Sequence, residues 1–191
     1  MEPYLRYLPI VLVLIIVLER VRELRTNRQT IAGVRKDTRS FNLFVLCGTA
    51  VTFGCIAEYV WRGLRPNGLL MLAGVVIVIA SFVIRRRAIA ALGQFWSVHV
   101  EVREEHRFVC EGPFRFVRHP AYFSMILELL ALALICNAFF TLLLIPFFFV
   151  PVLVARVRLE EAALIEKFGA AYRDYIQTTP AFFPVKWPLK R

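Results

Sequence analysis

Five long apolar runs, separated by segments rich in arginine, constrain the fold of this chain more than any other feature. The runs cover residues 4–18, 41–60, 69–84, 121–136 and 138–155. About 20 apolar residues cross a bilayer as a helix, so the second run is long enough and flanking residues must complete the others. Hydrophobic residues make up 59% of the sequence, far more than in soluble proteins. We therefore predict an all-α, multi-pass membrane protein with five transmembrane helices.

The connections between the runs predict three local features. Residues 136–138 leave so little chain between the fourth and fifth runs that the two runs must form a helical hairpin. Pro146 and Pro151 lie inside the fifth run, so a kinked helix is expected there. A weak alternation over residues 98–102 predicts a short extended stretch.

The basic residues fall in alternate segments, at 20–39, 85–118 and 156–191. The segment between the second and third runs carries only Arg62 and Arg65, and the turn after the fourth run has no basic residue. By the positive-inside rule, the N-terminus lies outside, and the C-terminus and the long segment after the third run lie in the cytosol. The net charge of +10 is then a topological signal, and no nucleic-acid partner is predicted.

The segment 112–122 is a basic, aromatic turn framed by Pro113 and Pro120. Each proline fixes its own φ and keeps the preceding residue out of helical geometry, so we predict a rigid loop that ends where a helix begins. Pro120 suits the first position of that helix. Arg118 and His119 then lie at a helix N-terminus, beside free backbone N–H groups, which is a suitable site for an anionic group.

Glu160 and Glu161 form a pair of carboxylates on a helix that leaves the fifth run. Two interpretations are open. Carboxylates on an exposed helix commonly form weak surface ion pairs, here with Arg156 and Arg158. Alternatively, two adjacent carboxylates on the same membrane face as the basic turn suit a ligand that carries positive charge.

Glu128 lies in the middle of the fourth apolar run, where a carboxylate costs at least a few kcal/mol. Such a residue normally faces a cavity or a partner, so a functional role is favoured. Glu58 differs, because it lies near the end of its run and four residues before Arg62. A surface ion pair accounts for Glu58.

Four motifs follow one another in the C-terminal half of the chain. They are residues 92–97 (Leu-Gly-Gln-Phe-Trp-Ser), the turn 112–122, residues 156–161 (Arg-Val-Arg-Leu-Glu-Glu) and residues 168–175 (Phe-Gly-Ala-Ala-Tyr-Arg-Asp-Tyr). Together they resemble the isoprenylcysteine carboxyl methyltransferase family of integral-membrane methyltransferases, whose relatives include the phospholipid N-methyltransferases. The resemblance covers roughly residues 85–180, and the N-terminal half is similar only in hydropathy.

The resemblance implies a division of the chain and a cofactor. Residues 1–84 would supply the first three transmembrane helices, and residues 85–191 the catalytic region, with a cytosolic loop, the helical hairpin 121–155 and the C-terminal helices. S-adenosylmethionine would bind on the cytosolic side without a Rossmann fold or a metal. The implied cofactor-binding residues all lie in the turn and on the charged helix: Arg118, His119, Pro120, Tyr122, Arg156, Glu160 and Glu161. The turn would take the carboxylate of the cofactor, and the paired glutamates its ammonium and sulfonium charges.

The resemblance also assigns catalytic residues that face the methyl acceptor. Arg85 matches a family arginine expected to hold an anionic group, and Glu128 would position the acceptor or pair with Arg85. The eukaryotic prenylcysteine enzymes carry an acidic residue shortly before that arginine, and residues 71–84 have none. Residues 126–128 (Ile-Leu-Glu) instead resemble a bacterial branch that O-methylates alkylpyrones and related phenolic lipids. The expected acceptor is therefore an acidic lipophilic molecule, alkylpyrone-type or prenylated, that enters from the bilayer of a prokaryotic cytoplasmic membrane.

Three other functions stay open on the sequence alone. One is N-methylation of phospholipids. Another is an NADPH-dependent reductase similar to the sterol reductases, although paired carboxylates would repel the nucleotide phosphates. The third is a non-enzymatic membrane scaffold, which would leave the costly carboxylate of Glu128 unexplained.

Overall fold

A computed structural model describes residues 3–25, 34–37, 39–96, 100–102 and 108–183 of the chain. The helices are α1 (Leu8–Arg25), α2 (Arg39–Trp61), α3 (Gly68–Leu92), α4 (Pro120–Ile135), α5 (Phe139–Leu144), α6 (Val150–Phe168) and α7 (Ala170–Thr178). Short 3₁₀ turns cover Pro3–Tyr7, Gly93–Phe95 and Gly112–Arg115, and a π-helical segment covers Ile145–Phe149. Two short strands, β1 (Val34–Asp37) and β2 (Val100–Val102), complete the described elements. The fold is largely helical.

Three helical segments are long and apolar enough to cross a membrane: Arg39–Trp61, Gly68–Phe95 and Phe139–Phe168. α4 is apolar but has only 16 residues, and α1 ends in several charged residues. These two helices match the runs that the sequence analysis found to be short. The apolar helical bundle is confirmed, and the five-span topology stays a prediction.

Large apolar side chains cover the outside of the bundle. Examples on three different helices are Leu46, Phe53, Leu72, Val76 and Phe147, all of them exposed. In water such a surface would drive association, whereas in a bilayer it faces lipid. The exposed apolar surface therefore agrees with a membrane protein.

Two predicted connections appear as expected. Residues Cys136 to Ala138 form a tight turn in which Asn137 adopts φ +52°, so α4 and α5 form the predicted hairpin. The fifth run was predicted to be a kinked helix, and the structure has a π-helical segment there, which begins one residue before Pro146. A π turn accommodates the missing N–H of a proline without ending the helix. Helices α5 and α6 are consequently continuous.

The antiparallel pair α3–α4 is the most closely packed part of the bundle. A Cβ at Gly74 would lie 2.7 Å from Cγ1 of Ile135 and 2.8 Å from the carbonyl oxygen of Ala131. Further along, the hydroxyl of Ser81 donates a hydrogen bond of 2.8 Å to the carbonyl of Ser124. These contacts fix the register between the two helices that carry Arg85 and Glu128.

The strands add a feature that the all-α prediction omitted. β1 pairs antiparallel with β2, with Val34 opposite Val102 and Arg35 opposite Glu101. β2 confirms part of the predicted extended stretch 98–102, of which residues 98 and 99 lie outside the described chain. The sheet joins the two long segments that the charge pattern assigns to the cytosol.

Candidate functional site

The basic turn has the predicted form. Gly112–Arg115 is a 3₁₀ turn that begins at Gly112 with φ +59°, and Phe114 and Val117 are buried beneath it. Pro120 then occupies the first position of α4 and is buried. The buried apolar side chains of the loop therefore fix its position, and Arg118 and His119 lie immediately before the first residue of α4.

Arg118 does not present the open anion site that the sequence predicted. Its backbone N–H donates to the carbonyl of Pro180 at 2.9 Å, and that of His119 donates to the carbonyl of Ala181 at 3.0 Å. The guanidinium of Arg118 donates to Glu161 at 2.8 Å and to the backbone carbonyls of Ile176 and Thr179. These contacts form because the chain after α7 returns to the turn. The expectation of free donors here was wrong, and Arg118 anchors the C-terminal segment.

His119 and Tyr122 instead face the two carboxylates of α6. Nε2 of His119 lies 2.9 Å from Oε1 of Glu161, and the ring is almost fully buried. The hydroxyl of Tyr122 donates to Oε2 of Glu160 at 2.7 Å. Arg156, also buried, donates through Nε to the same hydroxyl at 3.0 Å. The structure thus brings all seven predicted cofactor-binding residues into one group, which we call the carboxylate cluster.

The carboxylates of this cluster remain accessible. The side chain of Glu160 is 32% exposed and that of Glu161 is 17% exposed, although both have partners. Burial raises the pKa of the neighbouring Tyr172, and the charges of Glu161 and Glu160 raise it further. The phenol of Tyr172 therefore stays neutral and adds no charge to the cluster. Glu161 is already paired with Arg118, whereas the more exposed Glu160 accepts from the neutral hydroxyl of Tyr122, so Glu160 can contact a cationic ligand.

Several residues that contact Arg156 of the carboxylate cluster could not be identified from sequence motifs. Ser40 accepts a hydrogen bond of 3.2 Å from Arg156. The guanidinium of Arg156 also lies over the rings of Phe41 and Phe44, at 5.5 and 5.8 Å. These residues open α2, far from the motifs in sequence, and nothing in their local pattern distinguishes them from an ordinary membrane helix.

A second group, which we call the arginine pair, lies deeper in the bundle. Arg85 is fully buried and forms an ion pair with Oε2 of Glu128, so the expected pairing of these residues is present. Oε1 of Glu128 accepts a hydrogen bond of 2.8 Å from Nε of Arg20. Glu23 lies 3.9 Å from Nε of Arg85, beyond hydrogen-bond distance. The sequence analysis treated Arg20 only as a basic residue at the membrane boundary and missed this contact.

Arg85 has unused hydrogen-bonding capacity. Its Nε and Nη1 are buried and have no hydrogen-bond partner among the residues that the structure describes. Buried donors without partners are rare in native proteins and call for an explanation such as a ligand. The arginine pair can therefore accept an oxyanion.

Glu58 forms the predicted ion pair with Arg62, but its carboxylate is buried rather than at the surface and has further partners. It is buried, and its carboxylate accepts hydrogen bonds from the N–H groups of Phe140 and Thr141, at 3.0 and 2.7 Å, and from the Thr141 hydroxyl at 2.8 Å. Arg62 is 3.8 Å away. The tight turn after α4 places the start of α5 against the end of α2, so Glu58 caps α5.

Comparisons with known proteins agree with the sequence motifs. The model of the isoprenylcysteine carboxyl methyltransferase (ICMT) family matches residues 72–166. An uncharacterised protein of Bacillus subtilis, YpbQ, is 28% identical over 162 residues, which cover 81% of this chain and 95% of that protein. Protein-S-isoprenylcysteine O-methyltransferase B of Arabidopsis thaliana is 28% identical over 137 residues, 68% of this chain and 67% of the plant protein.

A solved structure has a similar fold. It is the eukaryotic intramembrane Ras methyltransferase ICMT, with a TM-score of 0.55 and 22% sequence identity over 81% of this chain. This chain spans 55% of the length of that protein. The carboxylate cluster and the arginine pair lie within the segment matched by the family model, except for Arg20.

Proposed function

Because the chain belongs to the isoprenylcysteine carboxyl methyltransferase family and is a membrane methyltransferase, we propose that it methylates an oxygen of an acidic lipophilic acceptor. The methyl donor is S-adenosylmethionine. The observation that carries the proposal is the combination of a partly exposed pair of carboxylates with a buried arginine, two of whose donors have no hydrogen-bond partner among the described residues. The first suits the cationic donor and the second suits an anionic acceptor.

The carboxylate cluster fits the cationic part of the cofactor. When bound, S-adenosylmethionine supplies an electrophilic methyl group on a positively charged sulfur. Glu160 and Glu161 would hold its ammonium and sulfonium charges through charge-assisted contacts. His119 and Tyr122 fix the orientation of these carboxylates by the hydrogen bonds at 2.9 and 2.7 Å. Arg118 would act through Glu161 and the C-terminal segment rather than on the ligand.

The arginine pair fits an oxyanion of the acceptor. The free Nε and Nη1 donors of Arg85 would hold a carboxylate, enolate or phenolate, and Glu128 fixes the guanidinium in place. A carboxylic acid or an acidic enol is already an anion near neutral pH, so for these acceptors Glu128 positions Arg85 and need not abstract a proton. Methyl transfer is an in-line displacement, and the protein contributes alignment and the exclusion of water.

The Nε and Nη1 donors of Arg85 argue against a phospholipid amine as the acceptor. The amine of a phospholipid would place a nitrogen that is cationic or a weak acceptor beside unpaired guanidinium donors. An alkylpyrone-type or prenylcysteine-type acid offers the oxygens that these donors need. Since residues 71–84 lack the acidic residue of the prenylcysteine enzymes, we favour the alkylpyrone-type acid.

We propose five spans, with the N-terminus outside and both clusters near the cytosolic face. α1 and α4 would complete the three candidate spans. Arginines at the ends of α1 and α3 would extend their stems to the membrane boundary. Cysteine accessibility at introduced sites in 61–68 and 170–178 tests this topology, since only the second group should face the cytosol.

Titration calorimetry with S-adenosylhomocysteine tests the cofactor assignment. The folded protein should bind it, and Glu161→Gln should weaken binding by about tenfold or more, since a charge-assisted contact contributes about 1.5–3 kcal/mol. NADPH in the same assay should give no heat. Folded wild-type protein that ignores S-adenosylhomocysteine, or a Glu161→Gln variant that binds it equally well, would refute the assignment.

A further inference from the structure

Four side chains of alternating charge, Arg20, Glu23, Arg85 and Glu128, form a closed ring, which we call the charge ring. Glu128 makes the two short contacts, since Nε of Arg20 donates to it at 2.8 Å and Arg85 forms the second ion pair. Glu23 closes the ring at longer range, 3.8 Å from Nη1 of Arg20 and 3.9 Å from Nε of Arg85. Both separations exceed a hydrogen bond. Glu23 therefore offsets the charge of Arg85 without satisfying its buried Nε and Nη1 donors.

The neutrality of the charge ring limits what can bind to Arg85. Its two arginines offset its two glutamates. An anion added to the intact ring would leave one uncompensated negative charge in a largely buried group, which is strongly unfavourable. An anion that takes the place of Glu23 keeps the ring neutral, whereas a neutral molecule there would leave one uncompensated positive charge. Only an exchange of one carboxylate for one monoanion preserves the balance.

Glu23 is the member of the ring whose carboxylate can leave. Its side chain is 19% exposed, whereas those of Arg85 and Glu128 are buried. Glu128 and the hydroxyl of Ser81 both accept from Nη2 of Arg85. The contacts that fix α3 against α4 hold these three residues in register, so Arg85 keeps its position when Glu23 moves.

A cavity between α1 and α3 can receive the displaced carboxylate. It has a volume of about 360 Å³, and Glu23 is among its lining residues. The other charged residues of the lining are Glu19, Arg22 and Arg86, and Glu19 lies 3.5 Å from Arg22 and 4.0 Å from Arg86. Two guanidinium groups thus face one carboxylate in this lining. A displaced Glu23 would supply the second carboxylate.

We propose that Glu23 occupies the place on Arg85 that the oxyanion of the acceptor takes, and that the two exchange when the acceptor binds. The inference rests on the proposed function and adds a specificity-determining residue on α1, outside the segment that the family model matches. Methylation forms a bond between the acceptor oxygen and the methyl carbon as the carbon–sulfur bond breaks, so the acceptor loses its negative charge and the sulfur its positive charge. The neutral product no longer offsets Arg85. Return of Glu23 then restores the balance and favours release of the product.

Sodium acetate added to a Glu23→Ala variant tests the exchange without any acceptor. The variant should unfold at a lower temperature than the wild type, because Arg85 loses a compensating charge. Acetate at about ten times its dissociation constant should raise that temperature by about 3–6 °C, and sodium chloride at the same concentration should not. Glu19→Ala is the matched control, one turn earlier in the same cavity, and should not respond to acetate. Equal effects of acetate and chloride on Glu23→Ala, or an equal acetate effect on Glu19→Ala, would overturn the proposal.

A fluorescent acid tests the selection in variants that keep the size of the side chain. The probes are dansylaminoundecanoic acid and its methyl ester, titrated in detergent. Glu23→Gln should bind the acid about fivefold more tightly than the wild type does, because the competing carboxylate is gone, and should bind the ester equally well. Glu19→Gln removes the same charge and should leave both affinities unchanged. Acid binding that is no tighter in Glu23→Gln, or equally tightened in Glu19→Gln, would contradict the exchange.

Calorimetry with S-adenosylhomocysteine on the same preparations separates this inference from the proposed function. Both variants of Glu23 should bind the nucleoside as the wild type does, because Glu23 does not belong to the carboxylate cluster. Rescue by acetate together with a wild type that does not bind the nucleoside would retain the exchange site and refute the methyltransferase chemistry. Nucleoside binding without rescue by acetate would refute the exchange and leave the cofactor assignment intact.

Discussion

Glu58 on α2 and Glu128 on α4 are both buried carboxylates. They differ in whether the groups that they hold have all their hydrogen-bond donors paired. Glu58 accepts three hydrogen bonds from the start of α5, with Arg62 nearby. Glu128 holds Arg20 and Arg85, and Arg85 keeps two buried donors without partners among the described residues. Both carboxylates are expensive to bury in an apolar bundle.

The difference separates a structural group from a functional one. A buried polar group with complete hydrogen bonding stabilises a particular packing, and Glu58 joins α2 to α5 in this way. A buried cation with unused donors lowers stability unless something binds it. The sequence analysis separated the two glutamates by their positions in the apolar runs, but it did not predict that the start of α5 would supply three donors to Glu58. A variant at the Glu128 site should therefore mainly lower activity, whereas a variant at the Glu58 site should mainly lower stability.

Arg85→Met should produce the largest effect. It removes the donors for the acceptor, so kcat/KM should fall about 100-fold or more, equivalent to about 2.7 kcal/mol. S-adenosylhomocysteine affinity per folded molecule should change little. The unfolding temperature should fall, because Glu128 stays buried with Arg20 as its remaining partner among the described residues. Arg87→Met is the control, because Arg87 is exposed on the same helix. Full activity in Arg85→Met would remove the distinction between the two carboxylates.

Glu58→Ala should lower the free energy of unfolding by about 2–3 kcal/mol, because the α5 donors lose their acceptor. Activity per folded molecule should stay within about twofold of wild type, since the altered helix end is remote from the bonds being made. Thr141→Val, which removes only the hydroxyl donor, should cost about 1 kcal/mol. Unfolding in detergent, followed by tryptophan fluorescence, measures both losses. An inactive but stable Glu58→Ala protein would contradict the structural role.

Tyr122→Phe tests whether the Tyr122 hydroxyl orders Glu160 in the carboxylate cluster. Loss of the hydroxyl frees Oε2 of Glu160 and removes an acceptor of Arg156, so binding of S-adenosylhomocysteine should weaken about tenfold. Tyr7→Phe, at an exposed tyrosine of the N-terminal turn, serves as the control. Calorimetry provides the measurement, and equal affinities in the two variants would show that the hydroxyl does not order Glu160.

Asn67→Ala should have the smallest effect. The Asn67 side chain accepts hydrogen bonds of 3.1 Å from the N–H groups of Leu69 and Leu70 and so caps α3. Its loss should cost about 1 kcal/mol of stability and leave methyl transfer unchanged. Asn67→Asp keeps the oxygen acceptor and should retain most of that stability. A larger loss of activity than of stability in Asn67→Ala would connect the cap to the site.

Local patterns in the sequence predicted the features that depend on local physics. The apolar runs, the turn at Asn137, the irregularity near Pro146 and the rigid loop before Pro120 each follow from hydropathy or from proline and turn geometry. The grouping of His119, Tyr122, Glu160 and Glu161 followed from the family resemblance. In these cases, residues near one another in the chain, or in one motif, determine the result.

Several contacts between distant residues that lie outside the family motifs were not predicted from the sequence. Arg20 and Glu128 are 108 positions apart, and Glu58 and Thr141 are 83 apart. The anchoring of Arg118 by the carbonyl of Thr179 joins residues 61 positions apart. Each depends on how helices pack, and the charge of a residue alone does not indicate which partner it will meet. The single sequence therefore identified the charged residues but missed the distant partners of Arg20, Glu58 and Arg118.

Gly74 has a consequence for how this protein could change its acceptor. With backbone and side-chain atoms 2.7–2.8 Å from where its Cβ would be, α3 and α4 cannot slide past each other or admit a larger residue there. The wall formed by α1 and α2 has no such constraint at Gly48, where the nearest atom to a Cβ is 3.6 Å away. A larger residue at Gly48 can therefore be admitted while the α3–α4 pairing keeps Arg85 and Glu128 in position. Variation of this kind has to leave Arg20 and Ser40 unchanged, because Arg20 donates to Glu128 and Ser40 accepts from Arg156.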